Sequence, residues 1–190
     1  ESLLKDNDGI IVLCYHRVLK DTVVTNFAYS ISHNSQLHEY NVFLQDFEQQ
    51  MTFLKKNHIK VLTSSELIEK LNKKEVIGKA VVITFDDIDK SLPENAYPIM
   101  KKLDLPFTQF IITGKVGQTI DGSQMSTWKE IKKMNENPLV TSGLHTNDLH
   151  YQENFEPILS TNISKKVVQK DYQKSQKAFD EKLDQKGKVF

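Results

Sequence analysis

Apolar residues along this chain fall either in short unbroken runs or at intervals of three and four, a pattern of strands interleaved with helices. Ile10-Ile11-Val12-Leu13-Cys14-Tyr15 and Val81-Val82-Ile83-Thr84-Phe85 are rich in β-branched and aromatic residues, which predicts two strands buried on both faces. Shorter runs at 59–62, 106–112 and 139–142 predict three more. Phe43, Phe47, Met51 and Leu54 recur at four, four and three residues and predict a helix over 42–57. Thr63-Ser64-Ser65-Glu66 has the spacing of a capping box, and Leu67, Ile68 and Leu71 supply the buried face of the helix that follows. A third helix is predicted over 93–103, kinked or split at Pro98, which has no N–H to give. Ser126 opens a short helix with Trp128, Ile131 and Met134 on one side. A long polar helix runs from about Ile163 to Leu183, with Val167, Tyr172, Ala178, Phe179 and Leu183 as its buried contacts.

The remaining stretches are less regular. Residues 1–8 read as loose, and 19–40 as a long surface excursion with a short strand at 27–31, its His33 and His38 ordinary loop residues. Lys188-Val189-Phe190 reads as the start of another strand. Strand and helix alternate throughout, which predicts an α/β fold of parallel strands joined by helical crossovers.

Composition narrows the function. The 190 residues suit one domain with a real core. Lys+Arg and Asp+Glu are both 25, so the formal charge is zero. That leaves no electrostatic footprint for nucleic acid and little global attraction to anionic lipid. Cys14 is the only cysteine, so no intramolecular disulfide exists. Its place in an apolar run predicts a buried, inert thiol. No run approaches the ~18 apolar residues of a membrane span. A chain starting at Glu1 is compatible with a signal or anchor removed ahead of it.

Chemistry is concentrated at two strand ends. The run 81–85 stops at Asp86-Asp87, and the run 139–142 leads to His145-Thr146-Asn147-Asp148-Leu149-His150. Parallel α/β sheets collect functional groups at such ends; the plainer reading is that the aspartates cap the next helix. Two imidazoles and a carboxylate suit Zn²⁺ or a similar ion. On a helix, residues five apart diverge by roughly 140°, so the histidines are expected to converge at a turn. Neighbouring aspartates point in opposite directions on an extended chain. One can reach the metal while the other takes a proton from attacking water, a site for ester or amide hydrolysis. Tyr15-His16-Arg17 closes a similar strand, which makes His16 a candidate for the rim. A rival reading takes Asp87-Ile88-Asp89 as the D-x-D pair of a Mg²⁺-dependent aspartate-nucleophile phosphohydrolase. It leaves both histidines idle.

Thr84-Phe85-Asp86-Asp87 resembles the first motif of the NodB-like polysaccharide deacetylases of carbohydrate esterase family 4, and Ser142 to His150 resembles their metal-binding histidine motif. Four residues between the histidines, where most of the family has three, resemble the branch that de-N-acetylates the biofilm polymer poly-β-1,6-N-acetyl-D-glucosamine. Cys14-Tyr15-His16-Arg17-Val18 and the stretch from Phe47 to Leu67 are also similar to that branch. The resemblance implies a distorted, incomplete (β/α) barrel, with Asp86 as general base and Asp87, His145 and His150 as ligands of a divalent ion. Zn²⁺, Co²⁺, Ni²⁺ and Fe²⁺ all suit that set. It further implies a secreted enzyme associated peripherally with the cell surface, whose partner is poly-N-acetylglucosamine exopolysaccharide; a monomer is expected.

The chain also departs from the family. Ile88 stands where the family has glycine, and Asp89 follows. The later family motifs, including the one that supplies the general acid, are not found, so residues 1–190 are read as one deacetylase domain lacking its C-terminal motifs and poorly active alone. A carbohydrate-binding or matrix protein without turnover is the competing expectation.

Overall fold

The computed structural model describes residues 9–22, 40–75, 77–120 and 122–184. The expectations for residues 1–8, the strand at 27–31, His33, His38 and Lys188-Val189-Phe190 lie outside them. Strand β5 (Lys79–Phe85) is the hub, buried from Ala80 to Phe85 as its unbroken apolar run predicts. β1 (Gly9–Tyr15) pairs with β5 in parallel along its whole length, from Gly9 opposite Lys79 to Tyr15 opposite Phe85. The other edge of β5 is shared. β4 (Lys60–Leu62) takes residues 80–82, and β6 (Phe107–Ile111) takes Thr84 and Phe85. Thr108 seals this fork, its buried hydroxyl accepting the Ser64 N–H at 3.1 Å. β9 (Val140–Leu144) continues the parallel sheet beyond β6. The α/β architecture follows the sequence pattern.

Two short parallel strands, β2 (Arg17–Leu19) and β3 (Asn41–Phe43), form a separate ribbon, followed directly by α1 (Leu44–Lys56). α1 buries Phe47, Met51 and Leu54, three of the four predicted stripe positions; Phe43 ends β3 instead. α2 (Ser64–Asn72) opens with the predicted capping box between Thr63 and Glu66. Its apolar side corrects the prediction. Leu67 packs on Leu62, Ala80 and Val82, but Ile68 and Leu71 are exposed, because this layer of the core is thin.

Pro98 shapes its helix as expected. A π-helical turn at Leu92–Ala96 precedes α3 (Tyr97–Leu103), and Tyr97 N–H reaches back five residues to Leu92 O. After β6 comes a small antiparallel pair, β7 (Thr119–Ile120) and β8 (Ser123–Gln124). α4 (Trp128–Asn135) has its own capping box, Thr127 with Glu130. A second hairpin, β10 (Gln152–Glu153) with β11 (Glu156–Pro157), precedes α5 (Lys165–Leu183). Among the described residues no helix is long and apolar enough to cross a membrane.

The main core lies between β5 and the helices, built around Phe47, Phe85 and Phe107, with Tyr15 stacked on Phe85 at 5.5 Å. Two further expectations are overturned here. β1 is not buried on both faces: Ile11 and Val12 are 62% and 56% exposed. Among the described residues it pairs only with β5, and little covers its flank. On α5, Val167 and Tyr172 are exposed, while Asp171, Ser175, Phe179 and Leu183 are buried.

Candidate metal centre

Because β1, β5, β6 and β9 are parallel, their C-terminal ends open on one side of the sheet. Asp86 N–H donates to Tyr15 O at 2.9 Å, which extends the β1–β5 ladder by one residue. The chain then reverses sharply. Ile88 N–H donates to Asp86 O at 2.8 Å across Asp87, whose φ is 67°. This is the positive-φ γ-turn, a rare and strained geometry. Ile88 follows at φ 61° and is 1% exposed. A β-branched residue in the left-handed region costs on the order of 1–3 kcal/mol. Burial of its side chain in the main core, about 1.5–3 kcal/mol, offsets that cost. The position therefore keeps a glycine-like backbone without glycine.

The histidines come from the end of β9, two strands away in the sheet. His145 N–H donates to Ile111 O at 3.0 Å, and Thr146 turns the chain at φ 66°. The turn brings His150 back over His145, with ring centroids 4.2 Å apart. The expected convergence at a turn is what the structure contains. Asp87 Oδ1 lies 3.3 Å from His150 Nε2 and 3.6 Å from His145 Nε2. Asp86 Oδ2 is 4.0 Å from the same His145 nitrogen. One potential ligand atom from each of Asp87, His145 and His150 lies within 4.8 Å of the others.

Three buried polar atoms here, Asp86 Oδ1, Asp87 Oδ1 and His145 Nε2, have no hydrogen-bond partner. Orphaned groups of this kind cost desolvation without return. A divalent cation between Asp87 Oδ1 and the two Nε2 atoms would satisfy the pair of them that belongs to the triad, so the residues fit a metal. Burial, and then the neighbouring His150, lower the pKa of His145, against the opposing pull of Asp86 and Asp87. The lowered value favours the neutral imidazole that a metal needs.

The surroundings correct one prediction and extend another. Cys14 is neither buried nor remote: it is exposed, and its Sγ donates to Asp86 Oδ2 at 3.4 Å. Partial burial of the thiol, and then the Asp86 charge, push its pKa up to about 11. His16 packs at a tilt against Tyr40, ring centroids 4.9 Å apart, and lines a cleft of about 610 Å³ with Asp87 and His150, the rim position expected of it. Asp89 reaches the cleft too, but Ser91 occupies its Oδ1 and Arg17 pairs with its Oδ2 at 3.4 Å. With Asp89 engaged and Asp87 facing histidines, the D-x-D reading finds no cation site. The sequence pattern gave Arg17 no role of its own and pointed to no role for Asp171, whose signal was a spacing of four residues with Ser175, Phe179 and Leu183.

The profile of the family described as Polysaccharide deacetylase matches residues 73–190, which takes in both clusters. The chain belongs to the polysaccharide deacetylase family. It is 37% identical over 174 residues to the poly-beta-1,6-N-acetyl-D-glucosamine N-deacetylase of Staphylococcus aureus strain MSSA476, covering 91% of this chain and 60% of that protein. It is 31% identical over 177 residues to the Staphylococcus epidermidis protein of the same name, covering 93% and 61%. The chain thus spans about 60% of the length of these curated relatives. Among solved structures it is similar to IcaB from Ammonifex degensii, with a TM-score of 0.81 and 32% identity over 95% of this chain and 72% of that one. This polysaccharide deacetylase fold, a parallel sheet open at its C-terminal ends, accounts for the meeting of the two clusters.

Proposed function

We propose that this chain forms the metal-binding part of a hydrolase that removes N-acetyl groups from poly-β-1,6-N-acetyl-D-glucosamine and releases acetate. The observation that carries the proposal is the meeting of Asp87 Oδ1 with both histidine Nε2 atoms, within 3.3 and 3.6 Å, beside a second carboxylate. The printed names of the staphylococcal relatives supply the polymer and the bond cleaved.

Asp87, His145 and His150 would hold the ion, and Zn²⁺, Co²⁺, Ni²⁺ and Fe²⁺ all suit that set. When bound, it polarises the amide carbonyl and lowers the pKa of attacking water. Asp86 is the general base. One of its oxygens takes the Cys14 thiol and the other is unpaired, free to accept a proton from that water. The cleft between His16, Tyr40, Tyr151 and Leu159 receives the sugar chain. Residues 1–190 belong to one deacetylase domain, which acts as a monomer and works outside the cell at its surface. The turn at Ile88 keeps Asp87 aimed at the histidines, which favours turnover over passive carbohydrate binding.

The test is metal content together with acetate release from an N-acetylglucosamine oligomer. It compares this chain, a form extended to its relatives' full length, Asp87→Ala and His145→Ala. We expect about one equivalent of metal, lost in both variants, with acetate released by the extended form. Absence of metal from every form would sink the mechanism. Metal retention without acetate release, even in the extended form, would favour the binding role.

A further inference from the structure

The loop between the two histidines is gripped from outside the sheet. Asp171, Ser175, Phe179 and Leu183 recur every four residues on α5 and form one buried stripe. The C-terminal half is apolar and joins the main core. The N-terminal half is polar and meets the loop. Asp171 Oδ1 accepts the Asn147 N–H at 2.7 Å, and its Oδ2 accepts the Asp148 N–H at 2.8 Å. One turn on, Ser175 Oγ and Asn147 Oδ1 each lie 3.2 Å from Thr113 Oγ1. The turn at Thr113 holds the loop as well: the Thr113 and Gly114 N–H groups donate to the carbonyls of Thr146 and Asn147, at 3.1 and 2.9 Å. No side chain fits at Gly114, where a Cβ would stand 2.5 Å from Asn147 O.

A buried carboxylate with both oxygens committed to successive backbone amides fixes a chain path. Asp171 is 8% exposed, and the two amides it holds are the midpoint of the span from His145 to His150. The path it fixes sets how far apart the two rings stand. We propose that Asp171 is a positioning residue for the histidine pair, holding both Nε2 atoms at the separation from which they and Asp87 reach one ion. The inference rests on the ligand assignment made above. An asparagine in its place keeps one acceptor and turns an NH₂ toward the other amide, so one of the two bonds becomes a donor–donor contact.

The experiment titrates metal-stripped protein with Zn²⁺ against a chromophoric chelator, and with Co²⁺ while its visible spectrum is recorded. It compares the unmodified chain with Asp171→Asn, Asp171→Glu and Gly114→Ala. Asp171→Asn should bind about 10–100-fold more weakly, the usual loss when a partner behind the ligands is removed, with an altered Co²⁺ spectrum and an unchanged far-ultraviolet spectrum. Asp171→Glu should recover part of the affinity. Gly114→Ala leaves Asp171 intact but displaces the same loop through a separate contact, the Asn147 carbonyl, and should reproduce the loss. Unmodified affinity and spectrum in Asp171→Asn, with only a lower melting temperature, would show that Asp171 merely ties α5 to the sheet and would overturn the proposal. If Asp171→Asn does not fold, unmodified affinity in Gly114→Ala overturns it instead. If the unmodified chain binds neither ion, the ligand assignment itself fails and takes this inference with it.

Discussion

Ile88 and Cys14 carry the sharpest expectations at the scale of single residues. In most buried positions alanine is tolerated better than glycine. At φ 61° the order should reverse, since glycine removes the left-handed penalty that alanine retains. Both variants lose the buried side chain, at about 2–5 kcal/mol. Urea midpoints should therefore place Ile88→Gly at or above Ile88→Ala; a clear advantage for alanine would mean that the turn is not under strain. Cys14 has a thiol pushed up to about 11, first by burial and then by Asp86. Its alkylation by iodoacetamide should be slow at neutral pH and climb steadily toward that value. Asp86→Asn should speed it at neutral pH by removing the second cause. Fast labelling of the unmodified chain near pH 7 would contradict the contact between thiol and carboxylate. Neither the strain at Ile88 nor the thiol–carboxylate contact was legible in the sequence. Ile88 stood out only as a departure from the family's glycine, and Cys14 in its apolar run read as plain core, because backbone torsion and sheet-edge position are tertiary facts.

Elements were more legible, and the exceptions share a cause. The capping box at Thr63–Glu66 was read directly from residue types, and the one at Thr127–Glu130 has the same signature. Thr63→Ala and Thr127→Ala should each cost about 1 kcal/mol, measured by thermal or urea unfolding. A negligible loss at both would mean that packing alone holds these helix starts. Pro98 was equally readable, because a missing donor has only local consequences. On α5 the buried Phe179 and Leu183 were legible, but the rest of the buried stripe was not, because apolar periodicity is blind to Asp171 and Ser175. Those side chains are buried by what they bond to. The exposure of β1 escaped for a related reason: an apolar run states a preference for burial without saying how many neighbours the strand will have.

Over the whole molecule, site and stability are linked through protons and metal. His145 ordinarily titrates at 6.5 and is held lower in the fold, mainly by burial. The folded protein therefore takes up this proton less readily than the unfolded chain. Its contribution to stability is complete above 6.5 and is lost as the pH falls through that value toward the lower folded one. Melting temperatures of the metal-free protein should drop on acidification across that window, and His145→Gln should flatten the drop. An equal drop in the variant would assign the effect elsewhere. Metal acts in the opposite direction. At a hundredfold excess over its dissociation constant, the ion should add about 2.7 kcal/mol. A chelator should lower the melting temperature of the unmodified chain and leave that of Asp87→Ala unmoved. At this scale the sequence was most informative, since alternating runs and two polar strand ends announce a parallel sheet with a site at one end.

Ile88 gives this last link a genetic form. Its side chain belongs to the main core, while its backbone completes the turn that aims Asp87. A library of random substitutions sorted only for folded protein should flag position 88 as intolerant. One sorted only for metal capture should flag it again, although it offers the ion no atom. Neighbouring β5 positions such as Ile83 should respond chiefly to the first screen. Inheritance at this position is therefore constrained twice, and a lineage that rebuilds its hydrophobic interior must keep at position 88 a residue, isoleucine or the family's glycine, that still holds the turn.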